Sequence, residues 1–83
     1  MTEQELGNKL KKIYGSAPKG DVAVHIHLFG IKYADEIKSN NYRLANILEI
    51  AGLSDVYRTE LNKGIKLAKY VELKTEKTEK AED

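Results

Sequence analysis

The sequence predicts an all-α domain, a small bundle of about four helices. Three observations lead to this fold class. Apolar residues recur at steps of three and four along most of the chain, which is the spacing of one helix face. Gly and Asn residues separate these stretches at positions where helices commonly end. One segment also alternates like a strand, but no second segment of similar quality is present to pair with it.

Length and composition exclude several classes of protein. The chain has 83 residues and no Cys, which excludes a disulfide scaffold, thiol chemistry and a Cys-based zinc site. Its start does not resemble a signal peptide, and no apolar stretch reaches the ~20 residues of a membrane span, so we expect a cytoplasmic protein. The 14 basic and 13 acidic side chains leave a net charge of +1, unlike the strongly basic balance of a non-specific nucleic-acid binder.

Residues 2–14 predict the first helix. Leu6, Leu10 and Ile13 lie on one amphipathic stripe, with acidic residues in the first turn and lysines in the later turns, as the helix dipole favours. Residues 15–20 contain Gly, Ser and Pro and predict a loop.

Residues 21–39 fit two structures. Apolar residues at steps of four, three, four and four predict a long helix with Asp21 as its N-cap. Residues 22–28 also alternate like a strand rich in β-branched residues. We favour the helix because its stripe continues to Ile37, well past the alternating part. Gly30 within this helix predicts a close approach by a neighbouring helix.

A third helix follows a break at residues 39–41. Either Asn of this break is a candidate N-cap, and residues 42–51 have helical spacing. Gly52 can adopt the left-handed conformation that ends a helix.

A fourth helix is predicted over residues 55–63. Ser54 is its expected N-cap, and Gly64 is expected to close it. Residues 65–73 alternate loosely and fit either a short extended segment or one more helical turn.

The C-terminus differs in composition from the rest of the chain. Residues 74–83 read KTEKTEKAED, with almost nothing to bury in a core, and predict a charged, flexible tail. The predicted folded domain is therefore residues 1–73.

The stretch Leu44–Gly64 (LANILEIAGLSDVYRTELNKG) combines two short helices with a tight turn. Gly52 opens the turn between a small and an apolar neighbour, Ser54 follows as a cap, and Leu61 is an apolar anchor nine residues beyond Gly52. This pattern resembles the bihelical unit of bacterial helix-turn-helix proteins. Residues 1–73 as a whole are similar to small bacterial proteins described only as helix-turn-helix-like. The resemblance implies the fold and carries no activity with it.

The exposed face of the fourth helix supplies candidate contacts to double-stranded DNA. Arg58 suits guanine and Asn62 suits adenine, the pairings that the major groove favours, and Thr59 shares their face. The candidate phosphate contacts are basic side chains on or near this unit: Arg43, Lys63, Lys66 and Lys69. Segment 54–70 carries a net charge of +2. A surface helix of a protein with 33% charged residues would present a similar face without binding DNA.

The rival hypothesis is a protein-interaction or dimerisation module on the same scaffold. The near-neutral net charge favours it, as does Asp55 at the front of the would-be recognition helix. Two differences from the usual motif point the same way: Leu48 stands at a position that is usually small, and Arg58 at one that is usually Val or Ile. A homodimer would also cover the apolar surplus of helix 21–38.

The sequence predicts no catalytic residue, no cofactor, no metal site and no small-molecule substrate. His25 and His27 point about 200° apart on a helix and cannot share a metal there. On a strand they would share a face, but the chain offers no third soft ligand. The carboxylates have no partner constellation for acid–base chemistry, and no Ser pairs recognisably with a positioned His.

Overall fold

The computed structural model describes residues 1–73, and the predicted flexible tail lies outside them. This part of the chain contains helices and no strand, which confirms the all-α prediction. The elements in chain order are α1 (Glu3–Ser16), α2 (Val22–Ser39), α3 (Leu44–Ala51), a 3₁₀ turn (Asp55–Tyr57) and α4 (Arg58–Leu67).

Helix α1 begins with a capping box. The Thr2 hydroxyl accepts from the Glu5 amide at 3.1 Å, and the Thr2 amide donates to the Glu5 carboxylate at 2.8 Å. This backbone hydrogen bond from Thr2 holds the pKa of Glu5 below its ordinary value. The helix runs two residues beyond the predicted end, to Ser16, whose hydroxyl donates to the Lys12 carbonyl at 2.9 Å.

Helix α2 confirms the helical reading of residues 21–39, and the strand alternative is wrong. A strand would bury Val22, Val24 and Leu28 on one face with Ile26. In the structure Ile26 is fully buried, whereas Val24 is 51% exposed and Leu28 40% exposed. Burial therefore follows the helical stripe, because the other helices cover one side of α2 along its length.

The start of α3 differs from the prediction. The helix begins at Leu44 rather than at residue 42, so neither Asn of the break is its N-cap. Asn41 instead turns the chain in the left-handed region, with φ of 58°, a conformation that Asn tolerates better than most residues. The carboxylate near the helix start comes from another helix: Glu3 accepts from the Arg43 amide at 2.9 Å. This contact ties the beginning of α3 to the beginning of α1.

The core lies between two helix pairs, α1 with α3 and α2 with α4. All four helices contribute apolar side chains that are fully buried: Leu6, Leu10, Ile26, Phe29, Ile47, Leu48 and Leu61. Leu48, the unusually large residue before the turn, is thus a core residue. Gly7 allows α3 to come close to α1, since a Cβ atom there would collide with the Ile50 side chain.

Helices α2 and α4 cross at two glycines. A Cβ atom on Gly30 would lie 2.7 Å from the Leu61 carbonyl oxygen and 3.0 Å from the Gly64 Cα, so the predicted close approach at Gly30 is confirmed. The prediction that Gly64 closes the last helix is wrong, because α4 continues to Leu67. Gly64 is needed for the crossing instead: a Cβ atom there would collide with the His27 carbonyl.

The end of the described chain is partly helical. Residues 65–67 belong to α4, residues 68–70 form a turn, and residues 71–73 have no regular secondary structure. The extended alternative is therefore wrong for residues 65–70, where the helix and its closing turn confirm the helical alternative; residues 71–73 fit neither. Hydrogen bonds from the Tyr70 and Val71 amides to the Leu67 carbonyl close this turn.

Candidate nucleic-acid interface

The turn between α3 and α4 is a Schellman motif followed by a hydroxyl cap. Gly52 has φ of 77°, and its amide donates to the Glu49 carbonyl at 3.0 Å. The Leu53 amide donates to the Leu48 carbonyl at 2.9 Å, which completes the motif. The Ser54 hydroxyl then accepts from the Val56 amide at 3.3 Å. The structure thereby confirms the predicted role of Gly52. Ser54 caps the 3₁₀ turn rather than α4, because residues 55–57 form that turn and the predicted helix start at residue 55 is wrong: α4 begins at Arg58.

Helix α4 has one buried and one exposed face. Leu61, Gly64 and Ile65 are buried against the rest of the domain. The opposite face carries four exposed residues that the sequence singled out: Thr59, Asn62, Lys63 and Lys66. Their spacing places them within about 100° of each other around the helix, so one flat ligand can contact all of them.

Arg58, at the first position of α4, is exposed and already has a partner. One of its terminal nitrogens lies 3.2 Å from an Asp55 carboxylate oxygen, one turn earlier. Both side chains are largely in solvent, where such a pair contributes between zero and about 1 kcal/mol. Asp55 therefore orients the guanidinium without fixing it, and Arg58 stays available to an external acceptor.

The two remaining predicted contacts lie at the edges of this unit. Arg43 is exposed but precedes α3, so the whole of α3, about 12 Å long, separates it from the turn. Lys69 is exposed in the turn that follows α4. The structure thus groups five of the seven predicted side chains on α4, with Lys69 in the following turn and Arg43 ahead of α3.

A cross-helix hydrogen bond beside this face was not foreseen from the sequence. His27 Nε2 on α2 donates to Glu60 Oε1 on α4 at 2.6 Å, and Lys63 Nζ lies 3.6 Å from the other Glu60 oxygen. The hydrogen bond from His27 is the main reason that the pKa of Glu60 lies below its ordinary value. Glu60 partly compensates Lys63, whereas Lys66 has no ion pair among residues 1–73.

Residues 1–73 lack two other kinds of feature. No group of three His, Cys, Asp or Glu side chains lies close enough there to hold a metal ion. Nor does this region contain a helix with the length and apolarity that a membrane crossing requires.

Two short helices joined by a Gly-centred turn, with the second helix exposed along one face, define a helix-turn-helix domain. A family model described as an HTH-like domain matches residues 2–74, so the chain belongs to the HTH-like domain family. No curated protein and no solved structure gives a significant match to the chain. Family membership thus establishes the type of domain, and the ligand has to be inferred from the residues.

Proposed function

We propose that this domain binds double-stranded DNA in the bacterial cytoplasm, as a transcriptional regulator or an accessory factor. The observation that carries the proposal is the placement of α4. It is the second helix of a helix-turn-helix unit, and its polar face points away from the core. With its side chains an α-helix is about 10–12 Å in diameter, so α4 fits the major groove, which is about 12 Å wide.

The first residues of a recognition helix reach the base edges. In the proposed complex Arg58 donates to guanine, Asn62 pairs with adenine, and Thr59 contacts either base type. Lys63, Lys66 and Lys69 lie farther along the chain and contact phosphates, which position the helix without reading sequence. Arg43, at the start of α3, is the proposed outer phosphate contact.

A pair of variants distinguishes the two kinds of contact. Arg58→Ala should reduce discrimination at one base position by ~1–3 kcal/mol, because a guanine-specific donor is lost. Lys66→Ala should weaken all duplexes alike and lower the salt dependence by about one phosphate contact. Both residues are exposed, so neither change removes core contacts. Binding is measured by fluorescence anisotropy on a panel of labelled duplexes.

Lys11→Ala is the matched control, since Lys11 is also an exposed helical lysine but lies on α1. It should bind every duplex as the unmodified chain does. If Arg58→Ala and Lys66→Ala also leave binding unchanged while circular dichroism shows a folded domain, α4 is not the DNA-binding face.

A further inference from the structure

A shallow groove lies between α2 and the C-terminal end of α4. It has a volume of about 290 Å³ and is lined by five side chains: His27, Lys63, Lys66, Leu67 and Tyr70. Sites for small-molecule ligands usually begin at ~300 Å³, so this groove is suited to one or two side chains of a larger partner.

The floor of the groove is apolar and its backbone is fixed. Tyr70 is 83% exposed and Leu67 is 42% exposed, although the turn hydrogen bonds from residues 70 and 71 hold this segment in place. An ordered, exposed tyrosine loses little conformational freedom when a partner covers it, which is why Tyr is enriched in protein interfaces. Val24, also exposed, lies one helical turn before His27 and extends the apolar surface along α2.

The rim of the groove is positively charged. Lys63 and Lys66 are one helical turn apart on α4, so their stems line the groove while their ammonium groups reach solvent. The lining residues include no carboxylate. Glu60 beside it is already engaged by His27 and Lys63. A cationic pair at this spacing matches two carboxylates one turn apart on another helix.

We propose that this lysine-rimmed groove is a docking site for an acidic amphipathic helix of a partner protein. One large apolar side chain of the partner would cover Leu67 and Tyr70, and flanking carboxylates would pair with Lys63 and Lys66. A second copy of the chain suits the groove less well where the two-fold axis passes through the groove, because Lys63 and Lys66 would then face the same lysines of the other copy. A DNA backbone is less suitable, because its charged phosphates and polar sugars match the lysines but offer no large apolar group to cover Leu67.

The proposal goes beyond DNA binding and concerns two of the same lysines. An acidic helix in the groove would neutralise Lys63 and Lys66, which are proposed phosphate contacts. Partner and duplex would therefore exclude each other from this end of α4. The peptide titration contains no DNA, so its outcome does not depend on the proposed function.

The probe is a stapled helical peptide of about 18 residues, stapled because isolated helices near this length are only marginally stable. It carries Leu residues one turn apart and Glu residues on both sides of them. Titration into the ¹⁵N-labelled full chain should shift the amide signals of His27, Lys66 and Tyr70. A peptide with every Glu replaced by Lys should shift none of them, since the charge complementarity is reversed.

Two exposed apolar residues provide matched variants. Tyr70→Ala should weaken peptide binding about tenfold, the loss expected for a central aromatic anchor. Val56→Ala should leave it unchanged, since Val56 is 73% exposed but lies outside the groove. Both variants should bind duplex DNA as the unmodified chain does.

Four results would overturn the proposal. The first is that the acidic peptide produces no shifts at the groove, and the second is that Tyr70→Ala binds it as tightly as the unmodified chain. The third is that Tyr70→Ala weakens duplex binding, which would assign the groove to DNA. The fourth is that sedimentation shows a dimer that Tyr70→Ala dissociates, which would assign the groove to a second copy.

Discussion

The crossing of α2 and α4 makes Gly64 the position where one added methyl group should do most harm. A Cβ atom there would collide with the His27 carbonyl oxygen and lie 3.0 Å from the His27 Cα. These are backbone atoms of a helix, so they cannot move aside as the end of a flexible side chain can. Gly64→Ala must therefore push α2 and α4 apart and loosen the core around Leu61.

Two opposing effects determine how much Gly64→Ala lowers the free energy of unfolding. Overpacking of a tightly packed core destabilises by ~1–3 kcal/mol, and a backbone-to-backbone contact belongs at the upper end. Ala in place of a helical Gly stabilises by about 1 kcal/mol, because Ala has the better helix propensity. We therefore expect Gly64→Ala to lower the free energy of unfolding by about 2 kcal/mol. In a domain of this size that corresponds to a decrease in Tm of roughly 8–16 °C.

The assay is urea unfolding followed by circular dichroism at the helix band, with Gly15→Ala as the matched control. Gly15 is also inside a helix, α1, but a Cβ atom there meets nothing within 4 Å. Only the propensity effect remains, so Gly15→Ala should be stabilising by up to about 1 kcal/mol. The two Gly→Ala changes should thus differ in sign.

A second substitution at the crossing tests the same contact from α2. Gly30→Ala should also destabilise, because its Cβ atom would lie 2.7 Å from the Leu61 carbonyl oxygen. The double variant Gly30→Ala/Gly64→Ala should lose less free energy of unfolding than the sum of the two single variants, because the first change has already separated the helices. If Gly64→Ala unfolds at the same urea concentration as the unmodified chain or at a higher one, α2 and α4 do not touch there.

Two further predictions concern the ends of helices and the cross-helix pair. Thr2→Ala removes the capping box of α1 and should lower the free energy of unfolding by about 1 kcal/mol, measured by urea unfolding. An unchanged urea midpoint would show that the capping box does not stabilise α1. Because the pKa of Glu60 is lowered by His27, its stabilising contribution is complete above the ordinary value of 4.5 and is lost as the pH falls through the lowered value. Thermal melts between pH 6 and pH 3, as a rough range for such a carboxylate, should therefore show a smaller decrease in Tm for Glu60→Gln than for the unmodified chain; identical decreases would contradict the pair.

Local signals in the sequence predicted the elements that depend on local interactions. The turn followed from Gly52 and Ser54, since their conformation and cap are set by the adjoining backbone. The exposed face of α4 followed from residue spacing, because a helix that buries Leu61 and Ile65 must turn the opposite side to solvent.

Features that depend on distant parts of the chain were not predictable in this way. Gly is a residue type that often ends a helix. At position 64, however, its lack of a side chain allows the close contact with α2 at His27, 37 residues earlier. The contact of Glu3 with the start of α3 comes from another helix, and no local pattern marks it. The pairing of His27 with Glu60 likewise exists only once α2 and α4 have crossed.

The most direct test of DNA binding by α4 is a titration of the full chain against a labelled duplex of mixed sequence, at several salt concentrations. If Arg43, Lys63, Lys66 and Lys69 each neutralise one phosphate, the logarithm of the association constant should fall with the logarithm of salt with a slope of about −3.6. Binding at low salt with that slope is the expected result. No binding at low salt, or binding that salt does not weaken, would show that this helix-turn-helix domain does not hold DNA through these basic side chains.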